Sequence, residues 1–228
     1  MDYTYNQIAK MIDHSMVNPI LTDADLEKGC RIALDYNVAS ATVVPYYLRR
    51  SVEILTGSTV KAGTVVGFPH GSHTTAIKVA EAQLAIAEGA KELDMVVNIS
   101  KVLSADWDYV LEDIKSVIDI AHHNNVIVKV IFENCYLNDV QKIRLCEICG
   151  EVRADWVKTS TGYATGGATE NDLILMRKYS PPHVQVKAAG GVRTLDRLLA
   201  VRALGVSRVG ASRTIDILEE CKRRVAQG

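Results

Sequence analysis

The sequence predicts an α/β fold, a single-domain (β/α)8 barrel of the TIM type, and three observations carry that expectation. Eight short apolar runs alternate with longer amphipathic segments along the 228 residues, and eight strands close a parallel barrel of this kind. No Pro/Gly/Ser-rich linker interrupts the alternation, so residues 1–228 are expected to form one domain. An open doubly wound sheet should carry a glycine fingerprint at its first strand-to-helix turn, and Asp13-His-Ser-Met-Val-Asn-Pro carries none.

The elements follow in order. Strand one is expected over Met11–His14, and the helix after it starts at Thr22, where Thr22 can cap and Asp25 adds charge to the first turn. Strand two is expected over Val38–Val43 and strand three over Gly63–Gly67. A helical pattern over Thr74–Glu88 has Ile77, Leu84 and Ala85 among its apolar positions and ends at Gly89. Strand four, Glu92–Val97, leads to a helix over Ala105–His122, and strand five, Val126–Phe132, to one over Asn138–Cys149. Strand six, Trp156–Thr159, precedes a helix over Thr169–Tyr179; strand seven, Val184–Lys187, precedes one over Thr194–Leu204. Strand eight is expected over Val206–Val209, with a final helix over Ser212–Val225.

Charge and composition narrow the partners. A formal net charge of −1 advertises neither nucleic acid nor an anionic membrane, and no apolar run approaches the length of a membrane span. The opening MDYTYNQIAKMIDH has neither the basic start nor the apolar stretch of a secretion signal, so a cytoplasmic protein is expected. Five cysteines are scattered along the chain; Cys146 and Cys149 form a C-x-x-C inside a helical pattern with no second metal-binding pair. They are expected to be reduced and to pack as small hydrophobes. Cys135 stands apart, in the loop after strand five.

Charged residues in the strands point to chemistry. Parallel strands are covered on both faces and normally read as unbroken apolar runs. Here strand four holds Asp94, strand five Lys129 with Glu133 beyond it, strand six Lys158 and strand seven Lys187. Side chains alternate along a strand, so Lys129, Ile131 and Glu133 should turn inward while Val128, Val130 and Phe132 pack on helices. Lys129 and Glu133 suit a purely architectural ion pair equally well. Lys158 and Lys187 end adjacent strands just before glycine-containing loops. Two ammonium groups forced together lower each other's pKa, and burial lowers it further, which is what a Schiff-base nucleophile requires.

Two glycine turns suit an anion. Lys187-Ala-Ala-Gly190-Gly191-Val-Arg193 follows strand seven, and Val209-Gly210-Ala-Ser212-Arg213 follows strand eight. These are the loops in which barrels of this type frequently bind phosphate. His70 and His73 lack a third histidine or an identifiable carboxylate beside them, so no metal site is expected.

With Ile12-Asp-His, Gly67-Phe-Pro, Glu92-Leu-Asp-Met-Val-Val-Asn, Lys129-Val-Ile-Phe-Glu, Lys158-Thr-Ser-Thr-Gly, Lys187-Ala-Ala-Gly-Gly-Val-Arg and Gly210-Ala-Ser, the chain resembles the deoxyribose-phosphate aldolase family over nearly its whole length. The resemblance implies a class I aldolase that cleaves 2-deoxy-D-ribose 5-phosphate to D-glyceraldehyde 3-phosphate and acetaldehyde, with no cofactor and no metal. It assigns Lys158 as the Schiff-base lysine, Lys187 as a second lysine that tunes it, and Asp94 as the proton-shuttling acid/base. Gly162, Gly190, Gly191, Arg193, Gly210 and Ser212 would line the phosphate site, and Asn18 and Thr161 would contact the sugar chain. The partner is then a small sugar phosphate, and a homo-oligomer is left open. Two departures stand out: some relatives have a lysine where Tyr163 stands, and some end in a helpful tyrosine, whereas no tyrosine follows Tyr179 here. The alternative activity is a Schiff-base aldolase for another phosphorylated sugar or keto acid.

Overall fold

The computed structural model describes residues 2–227. Among them, eight parallel strands pair in chain order and the last closes on the first. They are β1 (Ile12–Met16), β2 (Ser40–Val43), β3 (Lys61–Val66), β4 (Glu92–Val96), β5 (Ile127–Ile131), β6 (Trp156–Lys158), β7 (Gln185–Ala189) and β8 (Arg208–Ala211). The expected barrel is therefore present, with two boundaries that matter. β7 continues two residues past Lys187, and β8 contains Gly210, which sequence reading put in the following turn. The correction has a simple cause: Ala189 and Gly210 pair with each other across the two strands.

The helices α1 (Tyr5–Ala9), α2 (Asp23–Asp35), α3 (Leu48–Leu55), α4 (Thr75–Ala87), α5 (Ile99–Leu103), α6 (Trp107–His123), α7 (Asp139–Glu151), α8 (Glu170–Tyr179), α9 (Leu195–Ala203) and α10 (Thr214–Gln227) surround the barrel. Thr22, Asn138, Thr169 and Thr194 cap their helices through side-chain oxygens, which is why those starts could be read directly. The helix α3, which enters from a short 3-10 turn, was not expected. The other two additions, α1 and α5, are five residues each.

Outward side chains such as Leu93, Met95, Val128, Val130, Val186 and Ala188 are fully buried and meet Leu26, Ile114, Ile118, Leu145, Leu198 and Leu218 in one apolar shell. Each large aliphatic in that shell contributes ~1.5–3 kcal/mol through burial. The inward side chains form a different structure. The strand register offsets each strand by one residue at constant height, so alternate strands supply four side chains to each layer. From the bottom upward the layers are Ser40, Glu92, Trp156 and Arg208; then Asp13, Gly63, Lys129 and Lys187; then Thr42, Asp94, Lys158 and Gly210. A fourth, of Ser15, Val65, Ile131 and Ala189, sits above them. Barrels usually fill these layers with branched aliphatics; this one fills three of them largely with charge.

Candidate active site

Asp94 is the hub of the interior. Its Oδ2 accepts hydrogen bonds from Lys158 Nζ and Lys187 Nζ, each at 2.7 Å, and its Oδ1 accepts one from Lys129 Nζ at 3.0 Å. One layer lower, Asp13 Oδ1 accepts from Arg208 Nη1 at 2.5 Å and from Ser40 Oγ at 2.6 Å. Lys187 Nζ lies 2.6 Å from Asp13 Oδ2, an ion contact whose angles miss those of a hydrogen bond. Lys129 Nζ reaches Glu92 Oε2 at 2.5 Å and Asp13 Oδ2 at 3.3 Å. Three carboxylates thus face four cations, Lys129, Lys158, Lys187 and Arg208, nearly out of contact with solvent.

The two lysines at the top of this cage are not equivalent. Lys187 is 1% exposed and touches two carboxylates; Lys158 is 6% exposed and touches only Asp94. Burial depresses the Lys158 ammonium most, Asp94 opposes that, and Lys187 adds to it, leaving a pKa of about 8. Burial alone would raise the Asp94 carboxyl, but Lys129, Lys158 and Lys187 together hold it well below the usual carboxylate range. Burial would likewise lower Lys129, yet Asp13, Asp94 and Glu92 hold it above the usual lysine range. Releasing the Lys158 proton removes the one excess positive charge of the cage.

Above the cage opens a cavity of about 450 Å³. Lys158, Lys187, Asn18, Thr161, Gly162, Gly190, Gly191, Arg193, Gly210 and Ser212 all line it, so the structure brings these sequence-predicted residues together in one place. Asp94 lies beneath it, in contact with both lysines rather than lining it. A larger groove of about 670 Å³, edged by Tyr46, Tyr47 and Leu84, lies apart from the lysines on the outer surface and contains none of the cage residues.

The glycines at one end of the cavity have specific reasons. Gly162, Gly190 and Gly191 have φ of 90°, 81° and 89°, the left-handed region that side chains disfavour. A Cβ at Gly190 would come within 2.8 Å of Gly167 Cα, and one at Gly167 within 2.7 Å of the Gly190 carbonyl oxygen. Gly167, whose amide neighbour Ala168 N–H donates to that carbonyl at 3.0 Å, was not singled out from the sequence. Arg193 reaches this end, whereas Arg213 pairs with Asp216 at 3.4 Å and stays outside.

One of the two readings left open for Lys129 and Glu133 is excluded. Glu133 does not pair with Lys129: it follows β5 in a left-handed conformation, φ 57°, and receives the Thr161 hydroxyl and the Thr161 N–H. Thr161 also accepts from Tyr163 N–H at 3.0 Å, so its hydroxyl holds its own loop and keeps one lone pair at the cavity it lines. Asn18 Oδ1 accepts from Ile20 N–H at 3.1 Å, which leaves its amide nitrogen for the cavity. Tyr163, in place of the lysine of some relatives, packs edge-on to Phe68 and donates its hydroxyl to the Val17 carbonyl at 2.6 Å, tying two loops across the mouth.

The sequence reading quoted Asp13 within Ile12-Asp-His but gave no site role to it or to Thr42, and both lie at the cavity. Thr42 Oγ1 is buried and has no hydrogen-bond partner among the described residues. An unsatisfied buried hydroxyl costs ~1–3 kcal/mol. Near the catalytic face, His73 pairs with Glu81 at 3.3 Å, and the position a cation would take among Asp13, Glu92 and Asp94 is filled by the Lys129 ammonium. Among the described residues no cluster of three or more His, Cys, Asp or Glu is arranged to hold a metal ion.

A family model described as DeoC/LacD family aldolase matches residues 7–212. The chain belongs to that aldolase family. It is 59% identical over 224 residues to the deoxyribose-phosphate aldolase of Rhodopirellula baltica, covering 98% of this chain and 93% of that one. It is 46% identical over 213 residues to that of Clostridium perfringens, covering 93% and 95%. Among solved structures, the tetrameric deoxyribose phosphate aldolase of Aeropyrum pernix superposes with a TM-score of 0.89 at 29% identity, covering 96% of this chain and 92% of that one. In this aldolase, then, the lysine pair, its shared carboxylate and the glycine-lined end of the cavity belong to one carbon–carbon lyase scaffold. No helix among its described residues is long and apolar enough to cross a membrane.

Proposed function

We propose that this aldolase cleaves 2-deoxy-D-ribose 5-phosphate reversibly to D-glyceraldehyde 3-phosphate and acetaldehyde, with Lys158 as the Schiff-base nucleophile. The observation that carries the reading is the sharing of one Asp94 oxygen by Lys158 and Lys187, each at 2.7 Å, directly beneath a cavity with a glycine-lined end. Neutral Lys158 adds to the C1 aldehyde of the open-chain sugar, and loss of water gives a cationic imine. The C3 hydroxyl gives up its proton as the C2–C3 bond breaks and the electron pair flows to the imine nitrogen. C3 departs as the aldehyde of D-glyceraldehyde 3-phosphate, leaving an enamine. Protonation at C2 and hydrolysis then release acetaldehyde and return the amine.

Lys187 and Asp94 act in this reading as one proton relay. A carboxylate flanked by ammonium groups is a weak base alone, and Asp94 lies below the cavity, so protons reach it through Lys187 or a water. The imine carries a positive nitrogen, and Asp94 offsets that charge until the electron pair of the broken bond neutralises it in the enamine. Gly162, Gly190, Gly191, Arg193 and Ser212 take the phosphate, by backbone N–H groups and the guanidinium, close to the start of α10. Asn18 reaches the sugar chain with its amide nitrogen.

Reduction with borohydride in the presence of substrate is expected to fix a two-carbon or five-carbon adduct on the peptide containing Lys158. An adduct on Lys187 with Lys158 unmodified would reverse the assignment. No metal takes part in this scheme, so exhaustive treatment with EDTA should leave turnover intact; loss on chelation with recovery in zinc would end the class I reading. Five unpaired cysteines suit a reducing compartment such as the cytoplasm. Self-association, as in the tetrameric Aeropyrum pernix relative, is compatible with this scheme, which uses residues of one chain only.

A further inference from the structure

We infer that Asp13 is a positioning residue that selects which of the two cavity lysines attacks the aldehyde: its carboxylate engages the Lys187 ammonium and leaves Lys158 as the amine. The inference rests on the reaction proposed above, in which Lys158 is the nucleophile. Both lysines line the cavity, and both donate to the same Asp94 oxygen at 2.7 Å. Asp94 alone therefore does not choose between them. What separates them is Asp13, whose Oδ2 lies 2.6 Å from Lys187 Nζ. Among the described residues Lys158 pairs with no carboxylate but Asp94.

Asp13 is fastened in the attitude this requires. Its Oδ1 accepts from Arg208 Nη1 at 2.5 Å and from Ser40 Oγ at 2.6 Å, which leaves Oδ2 to Lys187 and, at 3.3 Å, to Lys129. Burial alone would raise its carboxyl, but Lys129, Lys187 and Arg208 hold it well below the usual carboxylate range, so it stays ionised at neutral pH. The remaining interior acid, Glu92, pairs with Lys61, Lys129 and Arg208 and with neither cavity lysine. Glu133 is engaged by the Thr161 hydroxyl. Asp13 is thus the one acid that distinguishes the pair.

Counting contacts gives the choice its direction. A neutral Lys187 would lie between two carboxylates and forfeit an ion contact to each. A neutral Lys158 forfeits one, and Asp94 still receives Lys187 and Lys129. The second loss is the smaller in a dry site, so the proton leaves Lys158. Without the Asp13 charge the two amines compete for the same aldehyde. Whichever Nζ attacks forms a bond to the aldehyde carbon; the oxygen takes one proton from that nitrogen and one from solvent and leaves as water, and the nitrogen lone pair closes the C=N bond. Borohydride then delivers hydride to that carbon and fixes the attacking lysine as a secondary amine.

The test reads which lysine carries the label, by peptide mass after a brief borohydride quench with acetaldehyde. In the unmodified protein the adduct should fall on Lys158. Asp13→Asn should raise the ratio of Lys187 adduct to Lys158 adduct by about tenfold or more, the effect of removing one close opposite charge. The double variant Asp13→Asn with Arg208→Gln removes one charge of each sign and keeps the single excess cation of the cage. It should show the same redistribution, and it serves where Asp13→Asn alone does not fold. Arg208→Gln by itself keeps Asp13 beside Lys187 and should label Lys158 only. A loss of packing would not transfer a label from one lysine to the other. Adduct confined to Lys158 in the folded double variant would overturn the inference, and so would redistribution in Arg208→Gln alone. Labelling of Lys129 as heavily as Lys187 would also overturn it, since the cage would then merely have opened. An adduct on Lys187 in the unmodified protein, with Lys158 free, would instead overturn the reaction on which the inference rests.

Discussion

Lys158 and Lys187 differ by a single contact, and that contact divides their roles. With one carboxylate neighbour and a pKa of about 8, Lys158 can be neutral in a useful fraction of molecules, whereas Lys187 sits between Asp13 and Asp94. The rate of imine formation should therefore rise with pH and level off above about 8. Lys187→Met removes a cation that lowers the Lys158 pKa, so the midpoint should move up; Asp94→Asn removes a carboxylate that raises it, so the midpoint should move down. Borohydride-quench rates across pH 6 to 10 check both signs, and a shift in the same direction for the two variants would contradict the network. The lysines and Asp94 were legible in the sequence because charge inside a parallel strand is conspicuous. Asp13 was not, because an aspartate near the end of a first strand reads as an ordinary turn residue. Thr42 left no signal at all, since threonine is at home in strands, and only the absence of a partner distinguishes it.

At the level of elements, the eight strands announced themselves through apolar runs, and most helices through their caps. Caps did not decide every case, since α4 was read without a side-chain cap while α1 and α5, both capped, were missed; the extent of β8 escaped because Gly210 looked like punctuation. That extension separates two glycines the sequence had treated alike. Gly191 has φ 89° and open space beside it, so Gly191→Ala should strain the phosphate turn and raise KM for the phosphorylated sugar by about tenfold with little loss of kcat. A Cβ at Gly210 would lie 3.6 Å from Lys187 Cε, so Gly210→Val should lower kcat as well. Steady-state kinetics with phosphorylated and unphosphorylated deoxyribose distinguish the two outcomes. The junction of β1 with α10 offers a further check. His14 bonds Thr214 Oγ1 through Nδ1 at 2.8 Å, and burial pushes its pKa down to about 4. The folded chain then binds fewer protons than the unfolded chain between pH 4 and 6.5, so this stability is complete above 6.5 and lost as pH falls through 4. The loss should amount to ~3 kcal/mol, read as a falling urea midpoint that flattens in His14→Gln.

The molecule as a whole keeps two interiors: an apolar shell between barrel and helices, and a charged column inside the barrel. The shell follows directly from strand alternation, and sequence reading recovered it. The column did not follow, because pairing between β1, β4, β5 and β8 is set by closure of the barrel rather than by neighbours in the chain. The sequence left open an ion pair of Lys129 with Glu133, four residues on, whereas its partners are Asp13, Glu92 and Asp94. Removing one member leaves the others uncompensated in a dry site, so Lys129→Met should cost about 3–5 kcal/mol, measurable by urea unfolding even in the absence of substrate. An unchanged midpoint would mean that the column is hydrated and loosely held. The same closure governs how this lineage can drift. Its seven charged interior positions are coupled through shared contacts, so a change at one alters the electrostatic surroundings of the others. Tyr163, outside that unit, is open to exchange one residue at a time, which makes the rim of the mouth the place where substrate preference can be explored without endangering the fold.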